Sequence, residues 1–111
     1  MYKIMIIDDN PLSVEGIEKN INWVKLDAEV TQIHYNGKSA LLSLETAAID
    51  IIISDIEMPD LDGISMSKNA LAINPFIKIL LISAYDKFEY AKSALQLGIF
   101  DYIEKPIDYE Y

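Results

Sequence analysis

The sequence predicts a doubly wound α/β domain built on a parallel sheet, and three observations carry that prediction. Short apolar strand-like runs alternate with helix-like stretches along the chain. Several of those runs are apolar on both alternating sets, so both faces of a sheet need covering. Finally, 111 residues, of which 51% are hydrophobic and 24% charged, suffice for one domain with a core of its own.

The first strand is Ile4 to Ile7. Beyond it, Asn10-Pro11 is a helix start signal, and Val14, Ile17, Ile21 and Val24 mark an apolar face over residues 13–24. Val30 to Tyr35 reads as a second strand, polar enough at alternate positions to lie at an edge. Asn36-Gly37 turns the chain into a helix holding Ala40, Leu41, Leu44 and Ala47. The alternation then repeats: strand Ile51 to Ile56, loop Met58 to Gly63, helix Ile64 to Ile73, strand Lys78 to Ser83, helix Phe88 to Leu97, and a short strand Phe100 to Ile103. After Lys105-Pro106 only residues 107–111 remain, at most one turn of a fifth helix. A chain cut short there is expected to leave the sheet face shared with the first helix partly bare, with Ile4 and Ile6, or Met5 and Ile7, half exposed.

Composition narrows the function. There are 18 acidic residues against nine basic ones, for a formal charge of −9, and all nine basic residues are lysines. Such a surface does not release phosphate counterions and lacks arginine for reading guanine, so DNA binding by this segment is not expected. No cysteine is present, which removes disulfides, thiolate metal sites and thiol nucleophiles and fits a reducing, cytoplasmic setting. No apolar run exceeds four residues, and no basic leader precedes the first strand, so neither a membrane span nor a signal peptide is expected. The lone His34 lies on the polar second strand without a partner at ligand spacing and is expected at the surface.

In an open parallel sheet the chemistry lies at the carboxyl ends of the strands. Those ends carry Asp8-Asp9, Asp55, Ser83 and, through Glu104, Lys105. A lone Asp-Asp pair often does no more than cap the next helix. Three carboxylates converging on one edge are another matter, because their repulsion needs a cation to offset it. Oxygen ligands without histidine or cysteine point to Mg²⁺.

Four segments in order then resemble the receiver domain of bacterial two-component response regulators: Ile6 to Asn10, Ile53 to Pro59 with Asp62-Gly63, Leu81 to Tyr85, and Phe100 to Pro106. The likeness runs from Lys3 to Ile107. Ile21-Asn22-Trp23 and residues 83–91 are further similar to the branch whose receiver precedes an AraC-type helix-turn-helix output domain. The resemblance implies a five-stranded flavodoxin-like sheet of order 2-1-3-4-5. It implies that residues 1–111 form one receiver domain, a switch that catalyses its own phosphorylation and slow dephosphorylation.

Asp55 would accept a phosphoryl group from the phosphohistidine of a sensor histidine kinase. Asp9 and Asp55 would bind Mg²⁺ with the backbone carbonyl of Glu57, Asp8 would hold a metal-bound water or the geometry towards the kinase, and the Lys105 ammonium would balance charge from the other side. Ser83 would bond the phosphoryl group and Tyr102 would fill the space its loop vacates. Glu57 and Tyr85 flank the path of water to phosphorus and would tune the phosphate lifetime. A homodimer would form through the fourth helix and fifth strand, with DNA reached only through a separate output domain and no membrane contact. The alternative is a receiver-like interaction module that turns over no phosphate. A dinucleotide-binding module is excluded, since Gly16, Gly37, Gly63 and Gly98 form no glycine-rich loop. A haloacid-dehalogenase-type phosphatase lacks both its motif spacing and room for its cap.

Overall fold

The computed structural model describes residues 1–59, 61–84 and 101–105, with the backbone alone at 84, 101, 102, 104 and 105. In chain order the elements are β1 (Tyr2–Ile7), α1 (Pro11–Asn20), β2 (Ala28–His34), α2 (Gly37–Leu44), β3 (Ile51–Asp55), α3 (Gly63–Ile73), β4 (Lys78–Ala84) and β5 (Asp101–Lys105). All strand pairs are parallel and the order is β2-β1-β3-β4-β5. The expected α/β class, the strand order and the edge position of the second strand are therefore observed. The expected helix Phe88 to Leu97 and any fifth helix lie outside the described residues.

Strand alternation divides the core in two. Met5, Ile7, Ile52, Ile56, Ile79 and Leu81 pack against Ala40 and Leu44 of α2 and Met66 and Ala70 of α3. Ile4, Ile6, Ile53 and Ile82 pack on the other face against Val14 and Ile17 of α1. Each buried side chain of this size contributes roughly 1.5–3 kcal/mol, so covering both faces is what selects the layered arrangement.

The edge strand departs from simple alternation. Ile4 pairs with Val30, but Met5 pairs with Gln32, so Thr31 is an extra residue in β2. That bulge brings Val30 and Ile33, three positions apart, to the α1 face together. Gln32 and His34 then fall beside α2.

Three helices begin on an Asn or Asp side chain that accepts a backbone N–H: Asn10 from Leu12 (3.0 Å), Asn36 from Ser39 (2.8 Å) and Asp62 from Ser65 (2.8 Å). Helix α1 stops at Asn20, short of the expected Val24, which is 78% exposed. The chain turns extended at Ile21 (φ −111°, ψ 133°), and the Trp23 indole donates back to Glu18 O (3.0 Å), a last-turn carbonyl without an intrahelical partner, while the Asn20 amide donates to Gly16 O (2.8 Å). Smaller shifts move the second strand start to Ala28, end β3 at Asp55, and extend the last strand to Lys105.

A second correction concerns bare surface. Ile4, Met5, Ile6 and Ile7 are all buried, because β1 lies between β2 and β3 and α1 covers its outer set. Among the described strand residues on that face, the half-buried apolar side chains are instead Val30, Ile33, Ile51, Leu80 and Ile103. Ile51 and Leu80 join Tyr2, Ile21 and Trp23 in lining a groove of about 670 Å³ near the amino ends of the strands.

His34 is likewise not a free surface residue. Its ring is half-buried, with Nδ1 2.8 Å from Ser39 Oγ and Nε2 2.8 Å from Gln32 Oε1, which also accepts from Ser43 Oγ. Burial pushes its pKa below the ordinary 6.5. The unfolded chain therefore takes up this proton first as pH falls. Stability contributed by neutral His34 is present above about pH 6.5 and is lost on acidification towards the lower folded pKa. The stability difference between the parent chain and His34→Gln, measured by urea unfolding, should narrow from about pH 7.5 to about pH 5.5. A difference that stays constant over this range rules out the linkage.

Candidate functional site

From β1 the chain moves outward to β2 and then returns to β3 on the opposite side, so the crevice where winding reverses lies between β1 and β3. Asp8 and Asp9 follow the last residue of β1, and Asp55 is the last residue of β3. Pairing of Ile7 with Ser54 sets the two ends level. Carboxylate oxygens of Asp8, Asp9 and Asp55 all lie within 4.8 Å of one another, with Asp8 and Asp55 buried and Asp9 exposed. These residues are brought together by the sheet register, as the strand-end argument expected.

Backbone and neighbouring groups hold the cluster in place. Asp8 N donates to His34 O (3.1 Å), which extends the β1–β2 ladder, and Asp8 Oδ1 accepts from Asn10 N (2.9 Å) at the approach to α1. Asp55 Oδ1 accepts from Glu57 N (3.4 Å). Ser83, fully buried near the end of β4, donates from Oγ to Glu57 Oε1 (3.5 Å). Asp9, Glu57 and Ser83 thus stand at the same crevice as the buried pair. Lys105 ends β5, its backbone paired with Ala84, and Tyr102 pairs with Leu81. The side chains of both, and all of Tyr85, lie outside the described residues.

Two supports had not been picked out from the sequence. The Ser54 hydroxyl, buried on β3, donates to Asp55 O (2.9 Å). A small polar residue directly after three isoleucines in a buried strand was the available signal. Gly63, at sequence level the end of a loop and part of the family likeness, closes over the same peptide. Its N–H donates to Ile56 O (2.8 Å), and a Cβ there would meet Asp55 O at 2.3 Å and Ile56 Cα at 2.8 Å. Helix α3 consequently seats against the backbone of Asp55 only because residue 63 has no side chain.

The donor set suits a hard divalent cation: three carboxylates, oxygen only, two of them withdrawn from water. Collecting three like charges this closely is unfavourable unless a positive charge compensates, and a bound cation would supply it. A carboxylate so placed is also available as a nucleophile.

The profile of the response regulator receiver domain matches residues 4–111, and the chain belongs to that family. It is 33% identical over 106 residues to the transcriptional regulatory protein YesN of Bacillus subtilis, covering 96% of this chain but 29% of that protein. The receiver domain of AraT, a response regulator from Geobacillus stearothermophilus, superposes with a TM-score of 0.90 at 34% identity, over 98% of this chain and 84% of that one. The CheX–CheY–BeF₃–Mg²⁺ complex from Borrelia burgdorferi gives 0.87 at 25% identity, over 98% and 81%. The chain spans under a third of YesN, which is a longer protein.

The Gly63 contact makes a direct test. Gly63→Ala should lose roughly 1–3 kcal/mol in urea unfolding, the usual range for forcing an atom into packed structure. A variant as stable as the parent would show that α3 does not close on Asp55 in this way.

Proposed function

We propose that this chain is a phosphorylation-controlled switch in which Asp55 accepts a phosphoryl group from the phosphohistidine of a sensor histidine kinase. The observation that carries this reading is the convergence of Asp8, Asp9 and Asp55 within 4.8 Å at the reversal of the sheet. An Asp55 carboxylate oxygen forms a bond to phosphorus as the phosphorus–nitrogen bond to the imidazole breaks, and the imidazole leaves with its electron pair. No base is required, since the nucleophile is already anionic.

Asp9, Asp55 and the Glu57 carbonyl would hold Mg²⁺, with Asp8 supporting its water shell. The ion would neutralise charge gathering on the phosphoryl oxygens. The BeF₃ and Mg²⁺ of the related CheX–CheY complex, a phosphoryl mimic and a divalent ion, support that chemistry for this fold.

Ser83 is assigned to bond the phosphoryl group once it is on Asp55. Lys105, Tyr102 and Tyr85 take the roles that the family likeness implies: charge balance, repacking behind Ser83, and control of water access. The reading extends to the cytoplasm as the setting, to residues 1–111 as one receiver domain, and to dimerisation through the fourth helix and fifth strand. YesN is a transcriptional regulatory protein, which supports control of transcription through a DNA-binding domain outside these residues. Among the described residues no helix is long and apolar enough to cross a membrane.

Acetyl phosphate with Mg²⁺ should add one phosphoryl group, read by intact mass, and Asp55→Asn should abolish it. Labelling that survives the substitution removes Asp55 as acceptor. In the same preparation Mg²⁺ binding, followed by calorimetry, should weaken on Asp9→Ala. Affinity unchanged by that substitution contradicts a site built on these carboxylates.

A further inference from the structure

Among the described residues Glu57 touches the site at its backbone and at its carboxylate. Its backbone N–H donates to Asp55 Oδ1 (3.4 Å), and its own carboxylate accepts the Ser83 hydroxyl (3.5 Å Oγ to Oε1). Ser83 is fully buried, whereas Glu57 as a residue is exposed. A serine hydroxyl carries a single proton to donate. While Glu57 takes that proton, Ser83 cannot give it to a group on Asp55.

We propose that Glu57 is a latch on Ser83. In the unphosphorylated chain its carboxylate occupies the hydroxyl that an aspartyl phosphate on Asp55 would bond, and phosphorylation exchanges one anionic acceptor for another. This rests on the phosphoacceptor reading above and adds to it a contact that opposes activation.

The physical terms favour the exchange. At 3.5 Å the existing bond is at the outer limit of hydrogen bonding and correspondingly weak. A phosphoryl group brings a charge of about −2 and several strong acceptor oxygens. That charge also repels the Glu57 carboxylate, whose residue lies at the surface. Holding Ser83 thus costs the resting state little, and release is driven by the group being recognised.

Beryllofluoride with Mg²⁺, titrated by calorimetry into the whole chain, tests the latch through four variants. Glu57→Ala should bind the mimic about threefold to tenfold more tightly than the parent, the range spanned by one net hydrogen bond. Glu57→Gln, which keeps an acceptor oxygen without the charge, should fall between them. In a Ser83→Ala background the gain from Glu57→Ala should shrink to the part that relief of charge repulsion supplies, and Ser83→Thr, which restores the hydroxyl, should restore the full dependence on Glu57. A gain undiminished without the hydroxyl assigns the whole effect to charge and overturns the latch, as does unchanged or weaker binding by Glu57→Ala. A parent chain that binds no beryllofluoride with Mg²⁺ instead overturns the phosphoacceptor reading, and the latch with it.

Discussion

Mutual repulsion among Asp8, Asp9 and Asp55 is the constraint around which the rest of the structure is organised. Left to a flexible chain, three carboxylates would separate into water, where each is well solvated and the others are screened. Here they sit on two adjacent strand ends, and their oxygens are held within 4.8 Å. A parallel sheet can impose this because its ladder hydrogen bonds and its two buried faces fix the strand ends more firmly than the charges can push them apart. The cost of the arrangement is also what suits it to a cation, whose charge would offset the repulsion.

Everything near the cluster serves to keep β1 and β3 level and their ends rigid. The apolar sets on both faces of β1 and β3 resist any one-residue slip, which would send every side chain to the wrong face. Ser54 and Gly63 fasten the peptide of Asp55, one with a hydroxyl and the other by allowing backbone to approach backbone. The bulge at Thr31 lets β2 follow β1 to the end of the ladder, where His34 O receives the amide of Asp8.

Local signals marked several features well. Asn10-Pro11 and Asn36-Gly37 announced helix starts that the caps at Asn10 and Asn36 bear out, because capping is chemistry between near neighbours. Helix ends were read less well. Val24 continued the apolar spacing of α1, yet the backbone is already extended at Ile21 and the Trp23 indole folds back on Glu18 O, a contact that spacing does not encode. His34 looked isolated because its partners come from a bulged strand and from the next helix.

By itself the sequence determined the alternation of strands and helices, the need for two covered sheet faces, and the strand-end positions of Asp8, Asp9, Asp55 and Ser83. Those features follow from periodicity and residue type, which act over a few neighbours. Only the tertiary structure decided which strand ends meet, that β1 is shielded on both sides so Ile4 to Ile7 are buried, and that Glu57 reaches Ser83. Each of these depends on residues far apart in the chain. Their distance is set by sheet register and close packing acting together, and no local pattern carries that information.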